Sequence, residues 1–193
     1  MRKDQFLKIS LVVILPLSLF SCQLTLKAFL GIKDFKQYVS EEDRLEYYNG
    51  FIENNQYSLK IYTFKEQDSL FGFLKKQKNF PFIIVNNLES NKKYRLSCYE
   101  DVNYDAELLN KNELTVNQDS IQDIYELINK TIKQNLKISY NKEKTVQNPK
   151  WDIYIVSGTF LGKKLQKRTL GIRKLNKINS INIIDMSMEK IDE

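Results

Sequence analysis

The sequence predicts one α+β domain: helices packed on a mixed sheet that ends in a C-terminal three-stranded antiparallel meander. Three observations carry this expectation. Helical periodicity is strongest from Asp119 to Asn135. The continuous apolar run Phe80 to Val85 has the length of a central strand buried on both faces. After Leu136, short strand-like segments follow one another. A chain of 193 residues with 42% hydrophobic content can bury a proper core, and its composition is not that of a disordered protein.

Taken in order, Leu24, Leu26, Ala28 and Leu30 alternate with Gln23, Thr25, Lys27 and Phe29, the period of a strand or of an extended stem. Residues 33–49 read as helical. Ser40 supplies an oxygen cap, Glu41, Glu42 and Asp43 sit at the positive end of the dipole, and Asn49-Gly50 is the stop. Tyr57, Leu59 and Ile61 mark a strand over 56–64. A helix over 69–78 follows, capped by Asp68, with Leu70, Phe73 and Leu74 on one face and Lys75, Lys76 and Lys78 at its negative end.

Pro81 fits only the first ladder position of the next strand. Residues 86–92 turn into a strand over 93–99 on which Tyr94, Leu96 and Cys98 share a face. The polar stretch 102–118 accommodates a short helix near 105–110. Ile121, Ile124, Tyr125, Ile128 and Ile132 then form one apolar stripe, and Asp119 with Gln122 makes a capping box. A short strand over 136–140 and the Asn148-Pro149 break lead into the meander. Its strands are 151–161, 165–175 and 180–188, joined by turns at Gly162-Lys163-Lys164 and Asn176-Lys177.

Histidine is absent, which removes Ser-His-Asp and Cys-His catalysis and every zinc site that needs imidazole. A net charge of +6 is too mild for a nucleic-acid protein, so no nucleic-acid partner is expected. Cys22 and Cys98 are the only thiols.

The N-terminal residues speak to location. Arg2, Lys3 and Lys8 precede an apolar run from Ile9 to Phe20, which as a helix would rise only about 18 Å. That is short of the roughly 20 residues needed to span a bilayer, and it suits the apolar region of a secretory signal. Leu19-Phe20-Ser21-Cys22 then resembles the lipobox of bacterial prolipoproteins. The resemblance covers residues 1–22 and implies nothing about the fold beyond. It implies that residues 1–21 are a signal peptide, that Cys22 carries a thioether-linked diacylglycerol, and that residues 22–193 are the mature domain. A thiolate is the nucleophile such lipidation requires, and two or three acyl chains make a stable anchor. The implied location is the bacterial cell envelope. Gln23 is compatible with the outer membrane, facing the periplasm or the cell surface. No cofactor is expected beyond the covalent lipid.

Between Asp152 and Asp185 there is no acid, yet Lys163, Lys164, Lys167, Arg168, Arg173, Lys174 and Lys177 all fall there. On a hairpin they would crowd one end and edge of the sheet. They would either meet an anionic partner or form a solvated face that guards against edge-to-edge aggregation. Asp101, Asn103, Asp105 and Glu107 alternate as calcium ligands do. Ala106 stands where such a loop needs glycine, and Asn112 where it needs a bidentate glutamate, so no metal site is expected. Cys98 reads as a core thiol and Trp151 as core or rim packing. The pairs Glu41/Glu42 and Glu100/Asp101 are explained by a cap and a loop. The function expected is a non-enzymatic, membrane-tethered binding module for an envelope protein or glycan. The alternative is a membrane-anchored hydrolase using carboxylates or Tyr/Lys chemistry.

Overall fold

Central to the architecture is a mixed sheet whose strands lie side by side in the order Lys93–Ser97, Phe82–Asn87, Trp151–Ser157, Ile178–Glu189, Ser58–Phe64 and Leu136–Lys142. The computed structural model describes residues 38–77, 80–114 and 121–189. The expected signal peptide, Cys22, the 23–30 segment and the expected Asp119 cap lie outside the described residues. Strand β1 (Tyr38–Val39) leads into α1 (Glu41–Tyr47) and the short α2 (Asn49–Ile52), then β2 (Ser58–Phe64) and α3 (Gln67–Lys76). The hairpin β3 (Phe82–Asn87) and β4 (Lys93–Ser97) precedes α4 (Val102–Lys111) and α5 (Ile121–Asn135). The chain then forms β5 (Leu136–Lys142) and β6 (Trp151–Ser157), crosses through a 3-10 turn at Thr159–Leu161 and α6 (Gly162–Thr169), and passes a second 3-10 turn at Leu170–Lys174. It ends in β7 (Ile178–Glu189).

The α+β class is what the sequence predicted. The end of the sheet differs: no three-stranded antiparallel meander forms. Residues 165–174 are helical, and β6 and β7 pair in parallel, Ile153 opposite Ile181 and Ile155 opposite Ile183. A parallel pair needs a crossover, and α6 supplies it. β2 joins the other side of β7, also in parallel, while β3, β4 and β5 run antiparallel to their neighbours.

Local chemistry accounts for most element ends. Ser40 caps α1 through its Oγ, which accepts from the Asp43 amide at 3.1 Å. Where residues 33–49 were expected to be one helix, Tyr38–Val39 pairs with the end of β7 and Asn49-Gly50 begins another helical turn. Asp68 lies inside the first turn of α3, whose flanking Glu66 makes no side-chain cap. The short helix expected near 105–110 is the longer α4, because Asp101 caps it by accepting from the Asn103 and Tyr104 amides.

Helices cover both faces of the sheet. On one face Arg44 of α1 reaches Asp185 of β7, and α4 contacts α6 and β4. On the other, Phe73 of α3 meets Phe64, and Tyr125 of α5 meets Tyr154. The core lies against the central strands, where Ile153, Ile155, Ile181 and Ile183 are wholly buried.

Gly162 opens the crossover helix at φ 77° and ψ 164°, a backbone region open in practice only to glycine. Gly162→Ala is expected to lower stability by about 1–3 kcal/mol in denaturant unfolding. A loss within a few tenths would mean that α6 does not begin in this conformation.

Candidate functional site

Crossover helix α6 is amphipathic for a reason legible in its residues. Leu165, Thr169 and Ile172 recur at spacings of four and three and are buried. The Thr169 hydroxyl, inside the core, donates to the Leu165 carbonyl at 2.8 Å and so satisfies itself within the helix. Burying that stripe turns the charged positions outward. Lys163, Lys164, Lys167 and Arg168 are exposed on α6, Arg173 and Lys174 on the 3-10 turn, and Lys177 in the left-handed turn before β7. The structure therefore brings the seven predicted cations onto one segment, but that segment is a helical crossover and not a hairpin. Guarding exposed strands from aggregation is not their role, since none of them stands on a strand.

Part of this charge is held in place. Arg168 donates from Nη1 to the Tyr99 carbonyl at 2.7 Å, and Arg173 donates to the Gly50 carbonyl. Lys174 pairs with Glu107 at 3.2 Å, both half-exposed, a contact worth about 1 kcal/mol or less. Lys163, Lys167 and Lys177 make no ion pair among the described residues. Lys167, Arg173 and Lys174 border a hollow of about 490 Å³ with Asn54, Asn103 and Gly171. Gly171 keeps its floor low: a Cβ there would stand 2.8 Å from Asn103 Oδ1. Three cationic heads and two carboxamides give this hollow donors suited to phosphate or carboxylate oxygens.

A second charged centre sits where open α/β sheets place their ligands, at the carboxyl ends of parallel strands. Here it is closed. Asp185, at the level of Ser157 on neighbouring β6, is fully buried and paired with the equally buried Arg44, Nε to Oδ2 at 2.8 Å. Ser187 donates to the same oxygen at 2.6 Å, and the Tyr48 hydroxyl approaches Oδ1 at 3.5 Å. Arg44 spends its remaining donors on Ser139 Oγ at 3.3 Å and the Met188 carbonyl at 3.1 Å. Burial pushes the Asp185 carboxyl up, while the Arg44 guanidinium, the Ser187 hydroxyl and the Thr159 amide pull it back. Burial also raises the phenols of Tyr48 and Tyr47, and the Asp185 charge adds to both. No feature of the sequence singled out this pair; an arginine amid the acids of an N-terminal helical turn was its single trace.

The other candidates have structural settings. Asp101, Asn103, Asp105 and Glu107 start α4 in helical geometry, which cannot wrap a cation as a calcium loop does. Glu100 and Asp101 precede that helix, and Glu41 and Glu42 lie in the first turn of α1. Cys98 is fully buried, and burial raises its thiol to about 11. Trp151 is buried against Tyr94 with Lys150 over its ring at 4.8 Å. No family model, no curated protein and no solved structure matches this chain, so its functional reading comes from its own residues.

Arg44→Met should cost about 3–5 kcal/mol in denaturant unfolding, because it strands a buried carboxylate. Pairing it with Asp185→Leu should recover part of that loss; a double variant less stable than the single one would show that the stranded carboxylate is not the source of the cost. A separate dependence follows from groups titrating at alkaline pH. Cys98 is raised to about 11 and Tyr57 to about 12 by burial, so the folded state holds protons that the unfolded chain has released. Stability should fall as pH rises from about 9 to 11. Cys98→Ala should flatten that decline, and an unchanged slope would remove Cys98 as its source.

Proposed function

We propose that this chain is a lipid-anchored bacterial envelope protein that acts by binding an anionic partner through the α6 crossover. The anchor half of this reading rests on Leu19-Phe20-Ser21-Cys22 and the apolar run before it. The binding half is carried by one observation: seven cations, all exposed, lie on one acid-free segment beside a hollow lined by amides. Against an anionic surface each nearby cation contributes about 1 kcal/mol, enough in sum for a durable contact once the lipid has removed most of the search. The competing reading, a membrane-anchored hydrolase, has its natural position at the carboxyl ends of β6 and β7. There Asp185 and Arg44 already engage each other without an opening to solvent. That weighs toward binding. Gln23 and the secretory pattern favour the outer membrane as the site of action.

Two variants test the two halves. Cys22→Ser should block maturation and shift the protein out of the membrane fraction; normal maturation with unchanged partitioning would refute the anchor. With the anchor intact, detergent-solubilised wild type should recover an envelope partner in a salt-sensitive manner. Lys163→Glu/Lys167→Glu/Arg173→Glu should reduce that recovery at least ten-fold. Equal recovery by a folded charge-reversed variant would remove the crossover as the binding face.

A further inference from the structure

On the face of the sheet opposite α6, the central strands carry polar side chains where covered strands carry apolar ones. β7 keeps Ile181 and Ile183 toward the α6 side, but its first half turns Ser180 and Asn182 the other way. The pairing extends this across the sheet. Lys93, Asn86, Asp152, Ser180 and Ser58 are successive cross-strand partners, a polar row spanning five strands. In the next row Tyr154, Asn182 and Lys60 stand side by side, so an aromatic ring shares this face with the amide and the amine. α3 and α5 cover the rest of this face, where Phe73 meets Phe64 and Tyr125 meets both Tyr154 and the Lys93 amine, and they leave the β7–β2 part of these rows open.

Above these rows is a groove of about 420 Å³, within the usual range of small-molecule sites. Ser58, Lys60, Asn179, Ser180 and Asn182 form its floor, and the segment Glu143-Lys144-Thr145 forms a wall. The floor is ordered before any ligand arrives. Asp152 Oδ1 accepts from Asn179 Nδ2 at 2.8 Å and from the Ser180 hydroxyl at 2.6 Å, and Ser180 Oγ accepts from Asn182 Nδ2 at 3.1 Å. Ser58 Oγ is fixed by the Lys144 backbone, donating to its carbonyl and accepting from its amide, both at 2.9 Å. This arrangement leaves Asp152 Oδ2 and the side-chain oxygens of Asn179 and Asn182 without donors among the described residues, and Lys60 without an ion pair. Asn86, only 6% exposed and cross-strand to Asp152, also keeps its side-chain oxygen unpartnered.

The mixture of groups selects the ligand chemistry. Asp152 and Glu143 oppose an anion, and Lys60 and Lys144 oppose a cation. An apolar ligand would strand the free acceptors away from water. A molecule that fits must be neutral and densely supplied with groups that donate and accept at once. Sugar hydroxyls do both. We infer that this groove is a saccharide-binding site, read by Asn179, Asn182 and Lys60, with Asp152 holding Asn179 and Ser180 in place beside it. It stands on the face away from the crossover cations and is independent of the lipid anchor.

Full-length protein in a detergent without a sugar headgroup would be tested by saturation-transfer NMR. The probes are glucose, N-acetylglucosamine and their β-linked disaccharides, with gluconate and glucosamine as charged counterparts. At least one neutral saccharide should receive saturation and bind more tightly than both charged probes. Asn182→Leu should weaken that binding at least ten-fold. Lys60→Met, at a half-buried position on the rim, should weaken it several-fold with the fold retained by circular dichroism. The inference is overturned if no neutral saccharide binds, if gluconate or glucosamine binds better, or if Lys60→Met leaves binding unchanged.

Discussion

A carboxylate at the centre of a sheet has to be neutralised where it stands, and Asp185 is the constraint around which this protein is arranged. It lies on the strand with parallel neighbours on both sides, wholly out of water. A lone buried ion there would cost far more than one domain's stability margin can bear. Arg44 answers it from α1, and the match fixes that helix across the carboxyl end of β7. Ser187, two residues on along β7, and Tyr48, at the step from α1 to α2, add hydrogen bonds. An attractive position for chemistry in a sheet of this kind is thereby consumed by structure. What this chain can do with other molecules is displaced to its outer surfaces.

Those surfaces have divided the work by chemistry. On the α6 side the crossover must be amphipathic, since it lies over the isoleucines of β6 and β7, and its outward positions are then free to carry charge of one sign. Glu107 tempers that charge at Lys174. On the opposite side the covering helices stop short, and the uncovered part of the floor is polar and balanced in sign. The two faces thus offer different physics. One would attract an anion over about a Debye length; the other would select at contact through hydrogen bonds.

How much of this could be read from the residues depends on whether a feature is local. The Ser40 cap, the α5 stripe and the buried Phe82–Val85 stretch are local, and each appears where the sequence predicts. The crossover failed because Leu170 and Ile172 alternate as a strand would, while the helical spacing from Leu165 to Ile172 runs through Thr169. A threonine does not count as apolar until its hydroxyl is seen bonded to the Leu165 carbonyl. The seven cations were found, but their setting was misread along with the segment. Arg44 and Asp185 are 141 residues apart, and no local pattern marks either one. The alternation of Ser180, Asn182 and their isoleucine neighbours was visible as a period of two. Whether its polar side is open depends on how far α3 and α5 extend over it, and that is a tertiary fact.

The proposed anchor bears on how the two faces could act together. A lipid at Cys22 would hold the domain near a bilayer without itself choosing the face that meets it. Orientation has to come from the surface that meets an anion first, because the cations act at longer range than the groove. Once α6 is held by charge, the sheet lies between it and the polar floor, and that floor is turned away from the anionic surface. A domain arranged in this way would hold its saccharide groove open to whatever lies beyond the membrane, which is the orientation a bridging protein requires.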